Sequence, residues 1–331
     1  MPSGFKLFFQ NQLNYKLLPI AFRETFFLHQ APCAIYASQG GLLDIVIKKG
    51  DVLNRELLKS LIAKKQTQLF VQIEDRELLR QAQQENLRNV TRSISIGDPL
   101  EKTKYLSNLL AINLVYLYED PTNDEFLNLQ VQSAKALAVF LFNKPQLHFP
   151  LFKEFLKQGH HYIYAQPFLS SLFLLGIMKH SKLYVEKEIE NFFLTSYLKD
   201  IGMSAIPVEK YNQEILDVND KKLFLKHPQI SVEILKGRTP LPPQFLKMIE
   251  NHHMYSTLTQ EFNLSNSQDS MNIYGFETMM ISVTDTIAAM TTDRPFRKRE
   301  SLYKALDMIR VLIADQYPEE FKLIVMYFKH Y

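Results

Sequence analysis

The chain has 331 residues, 46% of them hydrophobic and 22% charged, enough to bury a sizeable core and to build two domains. Its 38 basic and 35 acidic side chains leave a net charge of +3, too weak an excess to mark a partner of nucleic acid polymers. A single cysteine, Cys33, excludes an internal disulfide and a cysteine-based zinc knuckle, and is expected as a small buried hydrophobe. Residues 1–9 lack the apolar core and cleavage site of a signal peptide, and no charge-free run approaches the roughly 20 residues that a bilayer requires. A cytoplasmic protein with no membrane partner is expected.

In chain order, residues 34–37 and 42–47 are short β-rich runs separated by Gln39-Gly40-Gly41, which suits two strands and a tight turn. Residues 51–64 then predict a helix capped by Asn54, with Leu57, Leu58, Leu61 and Ile62 on its apolar face. Residues 68–73 are a further strand, so a small mixed α/β domain over 1–90 is expected. From Glu74 onward glycines are few and apolar residues recur at three- and four-residue spacings. Residues 74–90 predict an exposed helix, followed by amphipathic helices at 100–117 and 124–142, broken at 119–123 and 143–145. The stretch 91–150 is expected as a helical connector, and 149–158, 167–178 and 185–198 as helices of an all-α domain over 151–331. The fold class expected is therefore α+β, a small α/β unit followed by an all-α helical bundle.

The chemistry concentrates in the second half. Asp200, His227, His252, His253 and Asp285 are of the types that hold hard or borderline divalent metals, and the helices of a bundle commonly aim such groups inward. Each also has a structural use on its own: Asp200 can cap a turn, and His227 can sit at the surface before Pro228. Their order is more specific than any one of them. The run from Tyr197-Leu198-Lys199-Asp200-Ile201-Gly202-Met203 to Pro207, then His227-Pro228, His252-His253, Val283-Thr284-Asp285 and Thr292-Asp293-Arg294-Pro295-Phe296-Arg297 resembles, block by block, the HD-GYP family. The segment of residues 47–61 also resembles the small regulatory domain that often precedes it.

The resemblance implies an HD-type bundle with two metal sites. One is built by an early histidine, the His-Asp pair and the late aspartate; the Asp bridges to a second, completed by the isolated histidine and the His-His pair. Here the pair reads Lys199-Asp200, and counting back by the family's usual spacing puts Gln166 where the early histidine would stand. A protonated lysine has three donors and no lone pair, so Lys199 can replace a metal's charge but not ligate the metal, or else it points to solvent. The second set, Asp200, His227, His252 and His253, is complete and would hold one divalent ion, iron, manganese or zinc. Arg294 and Arg297 are candidate phosphate-binding groups, or else fix a helix start with Asp293 and Glu300. Met203 stands where the family commonly has a lysine, and the segment after His253 does not spell Gly-Tyr-Pro but runs on as a longer polar loop. With no complete metal pair, no residue is assigned as catalytic.

Two functions follow from the resemblance. The preferred one is a degenerate, non-hydrolytic regulatory or protein-interaction module in cyclic di-GMP signalling. Its expected partners are cyclic di-GMP, signalling proteins such as diguanylate cyclase domains, and a second copy in a homodimer. The alternative is a metal-dependent phosphodiesterase, with an altered metal site, that hydrolyses cyclic di-GMP or another phosphoester.

Overall fold

The structure is a computed structural model that describes residues 16–39, 42–64, 68–215, 217–254, 275–329 and 331. The chain divides into two compact units, Met1–Arg92 and Ser93–Tyr331. In the first, strands β1 (Leu17–Ile20), β2 (Ile35–Gln39), β3 (Leu42–Ile47) and β4 (Leu69–Gln72) form an antiparallel sheet in the order β1-β4-β2-β3. Gln39 pairs with Leu42, as a tight hairpin requires; Gly40 and Gly41 lie outside the described residues. Strand β1 was not expected from the sequence. Its four residues include Pro19, and a strand lacking one ladder donor is tolerated at the edge position that β1 occupies beside β4.

Helix α1 (Arg55–Ala63) begins at Asn54, whose side chain accepts the Leu57 N–H at 2.8 Å, and α2 (Arg76–Arg92) completes the unit. The core gathers Cys33 with Ile35, Ile47, Leu69, Val71 and Leu79. Burial pushes the Cys33 thiol up to about 11, so the side chain behaves as the hydrophobe expected and not as a nucleophile.

The second unit is all helix among the described residues: α3 (Pro99–Glu119), α4 (Asp124–Phe142), α5 (His148–Gln158), α6 (Tyr162–Ser181), α7 (Glu186–Leu198), α8 (Val218–Leu235), α9 (Pro243–Glu250), α10 (Phe276–Met290), α11 (Leu302–Ile313) and α12 (Pro318–Phe328). Helix α6 is buried nearly all round and forms the axis, packing on α7 and α10 most extensively. Helices α3 and α4 pack on α5, α6 and α7, so the stretch expected as a connector is part of the bundle itself. The sequence carries the reason: Leu109-Leu110-Ala111-Ile112 and Leu114 are buried on every side of α3, which a solvent-bridging helix would not tolerate. Among the described residues no helix is long and apolar enough to cross a membrane.

One buried group gives the bundle an acid limit. His148, at the start of α5, is fully enclosed, and burial, reinforced by Lys179, pushes its imidazole down to about 4. The unfolded chain takes up that proton near pH 6.5, so the contribution of neutral His148 is complete above that pH and is lost as pH falls toward 4. Urea unfolding should show up to about 3 kcal/mol less stability at pH 4 than at pH 7 from this residue. His148→Gln should flatten that slope; an unchanged slope would refute the assignment.

Candidate metal centre

The site begins where α7 ends. Lys199 and Asp200 follow its last turn, and side chains from other helices meet both of their carbonyls, that of Asp200 also accepting the Met203 N–H at 2.9 Å. Ser231 of α8 donates to the Lys199 carbonyl at 2.6 Å, and Tyr118 of α3 donates to that of Asp200 at 3.1 Å. Gly202 then donates its N–H to the Ser231 hydroxyl at 2.8 Å. A Cβ on Gly202 would stand 2.1 Å from the His227 carbonyl oxygen, so only glycine lets this turn lie against α8. These contacts aim Lys199 and Asp200 inward.

Lys199 is 0% exposed and its ammonium lies between two carboxylates, bonded to Asp200 and, at 2.6 Å, to Oδ1 of Asp285 on α10. Burial alone would discharge it, but Asp200 and Asp285 outweigh burial and hold it above its ordinary value. Asp200 feels the converse: burial disfavours its charge, but the Lys199 ammonium holds it well below the usual carboxylate range. Gln166, on the first turns of α6, donates to the same Asp285 Oδ1 at 2.7 Å and accepts from Arg294 at 3.3 Å. Arg294 lies over the Tyr162 ring, 4.6 Å from its centroid. Two fixed cations, Lys199 and Arg294, thus balance two carboxylates without any ion. The positions of Lys199 and Gln166 offer only N–H donors to Asp285, so this half of the site does not fit a metal.

The other half fits one. His227 and His252 each turn Nδ1 to a backbone carbonyl, of Phe224 at 2.5 Å and of Ile249 at 2.6 Å, which leaves each Nε2 with a bare lone pair. Those two Nε2 atoms are 3.3 Å apart, and His253 Nε2 is 3.3 Å from that of His227. Asp200 Oδ1 stands 3.3 Å from both His227 and His252 Nε2. Lone pairs facing one another at this range repel unless a cation is shared among them. The spacing is also that of a tetrahedral edge, about 3.3 Å, for ligands at roughly 2.0–2.1 Å from a central ion. His227, His252 and His253 form the one such cluster found among the described residues.

Over 95% of this chain and 99% of the other, the backbone is similar to that of Bd1817, described as a HDG"Y"P protein from Bdellovibrio bacteriovorus, with a TM-score of 0.64 and 13% sequence identity. The chain has an HD-GYP-type fold. No family model and no curated protein sequence matches it.

Within this HD-GYP-type fold Gln166, Asp200, His227, His253 and Asp285 line one cavity of about 200 Å³, with Arg294 and Met203 in its wall, while the fully buried Lys199 and His252 lie behind it, against Asp285 and Asp200. Arg297 goes elsewhere. Its guanidinium donates to the carbonyl of Ala289 at 2.8 Å and to those of Met290 and Lys298, closing the C-terminus of α10, and it does not line the cavity. Neither does it pair with Asp293, which accepts the Arg299 N–H at 3.1 Å, nor with Glu300, which pairs with Lys304. His160 is held by Asn108 at 2.6 Å and His161 by Asn212 at 3.0 Å, so neither supplies the missing early ligand. The polar loop expected after His253 falls largely within residues 255–274, outside the described residues. Tyr118, Ser231 and Gly202 were not singled out from the sequence; only the repeated small or polar residue at a helix crossing hints at them.

Proposed function

We propose that the second unit is a non-hydrolytic HD-GYP-like module that serves cyclic di-GMP signalling by binding rather than by turnover, and that it holds a single divalent ion on Asp200, His227, His252 and His253. The observation that carries this reading is the Lys199 ammonium lodged between Asp200 and Asp285, where a second ion's charge would otherwise lie. The donor set of three imidazoles and one carboxylate, with its 3.3 Å edges, suits zinc best. When bound, that ion would supply a Lewis-acid charge to one wall of the cavity. The chain's own residues do the rest: Arg294 presents a buried guanidinium to an anion, Tyr162 holds that guanidinium in plane, and Lys199 keeps Asp200 ionised. Asp285, engaged by Lys199 and Gln166, is not free to take a proton from water.

The test is elemental analysis of the purified full chain after exposure to zinc, manganese and iron(II), with cyclic di-GMP binding and hydrolysis measured on the same samples. One equivalent of metal, saturable dinucleotide binding and no turnover are expected. Two equivalents with hydrolysis would establish the phosphodiesterase reading instead.

A second prediction concerns Pro228. Lying inside α8 it has no N–H to give the carbonyl four residues back, and that carbonyl, of Phe224, is the one that receives His227 Nδ1. Pro228 therefore frees the acceptor that sets the His227 tautomer. In Pro228→Ala the helix regains its own donor, so thermal stability should hold or rise while zinc affinity falls roughly tenfold, the usual scale for losing a ligand's hydrogen-bond partner. A competition titration with a zinc chelator checks it; affinity unchanged beside a higher Tm would remove Pro228 from the argument.

A further inference from the structure

A second cavity, of about 620 Å³, opens at the far end of α6 from the metal centre. Gln166 and Lys179 are separated by roughly 20 Å of helix at 1.5 Å per residue, so the two cavities are distinct. Its walls come from the first turn of α5, the last turns of α6 and the end of α12. The rings of Phe149 and Tyr331, with centroids 5.1 Å apart, and of Tyr327 give it aromatic sides. Lys179, His180 and Lys182 border it, and no Asp or Glu lines it.

Packing of α12 shapes one wall of the site and leaves the basic rim unexplained. Gly176 sits in the middle of a buried helix, where glycine is unfavourable by roughly 1 kcal/mol. A Cβ there would meet the Tyr327 ring at 2.2 Å. The glycine thus admits Tyr327, whose hydroxyl reaches Nδ1 of His148 at 3.4 Å and bonds to the hydroxyl of Tyr331. His148 donates Nε2–H to the Leu141 carbonyl at 3.1 Å and remains neutral, so it adds no charge. The positive charge is instead carried by lysines with neutral surroundings: Lys179 donates to the Phe142 carbonyl and lies 4.3 Å from the centroid of its ring. Lys182 is held at φ 60, the left-handed conformation that a helix terminus normally gives to glycine. A strained, exposed lysine at the rim of an aromatic cavity without carboxylates points to a ligand that it meets.

We propose that this cavity binds a small aromatic anion, one or two fused rings bearing a sulfonate, carboxylate or phosphate, with the ring against the aromatic wall that Phe149 and Tyr331 form together and the charge against Lys179 and Lys182. Naphthalene-1-sulfonate, a weak metal ligand, is the probe, titrated calorimetrically and by its fluorescence against the full chain. One molecule per chain is expected. Binding should weaken at least tenfold in the His180→Gln/Lys182→Gln double variant, whose two side chains are exposed, and in Phe149→Ala, with unfolding transitions checked in each. Neutral 1-naphthalenemethanol and inorganic sulfate should each compete at least tenfold more weakly, because each lacks half of the recognition. Adenosine monophosphate and naphthalene-1-carboxylate serve as further arms: tighter binding of the first assigns the natural ligand to nucleotides, of the second to aromatic acids. Absence of saturable binding, or affinity untouched in both variants, or competition by sulfate as strong as that of the probe, would overturn the proposal.

Discussion

Lys199→Met, measured by urea unfolding at pH 7 with chelator present, should lose about 3–5 kcal/mol, the scale expected when one partner of a buried ion pair is deleted. The methionine fills most of the volume, so the loss reports charge. With Lys199 gone, Asp200 and Asp285 face each other across a buried pocket with no cation between them. The sign of the pH dependence follows from the shifts described. In the native chain Asp200 is held well below its usual range, so its contribution is present above the unfolded carboxylate value, near 4, and is lost as pH falls through its lower folded value. In the variant Asp200 loses the cation that offsets its burial and takes up its proton earlier. The variant's deficit should therefore be greatest at neutral pH and shrink as pH falls through about 5. A loss below about 0.5 kcal/mol at pH 7 would mean that the ammonium does not occupy the pocket.

The converse experiment rebuilds what Lys199 replaces. Gln166 Nε2 and Lys199 Nζ reach the same oxygen of Asp285, at 2.7 and 2.6 Å, so both positions already point at one place. Combining Lys199→His with Gln166→His would surround it with two imidazoles and two carboxylates, a ligand set for a second divalent ion. Metal content should rise from one to two per chain. The second ion should be held at least about tenfold more weakly than the first, because Arg294 stays beside position 166 and its charge opposes a further cation. Elemental analysis against free-metal concentration decides it: a content that stays at one would show that the helices have closed on the old site. Two ions without hydrolysis of cyclic di-GMP would place the remaining defect in substrate contacts, where Met203 lines the cavity.

Much of this site was legible in the sequence because its ligands are polar residues in an otherwise apolar, helical context. His227-Pro228, His252-His253 and Asp285 stand out against their neighbours, and the spacing back from Lys199 led to Gln166. The direction of Lys199 was not legible. A lysine at a helix end reads equally as solvated, and only the carboxylate of Asp285, 86 residues on in sequence, shows that it is enclosed. Arg297 was ambiguous for a related reason: the carbonyls it closes belong to the end of α10, whose exact terminus sequence patterns do not give. The place of α3 was not legible either: residues 100–117 read as an amphipathic helix of a connector, whereas its buried residues lie on every side. Strand β1 escaped because four residues with a proline carry too little period-two signal to be read alone.

The lysine also changes what the bundle needs from the cell. A bound ion must be acquired from a shared pool and can be stripped by a competitor or lost to scarcity, whereas the Lys199 charge arrives with translation and stays covalently attached. The charge balance at Asp285 is therefore set by the chain's own lysine and not by the supply of a metal.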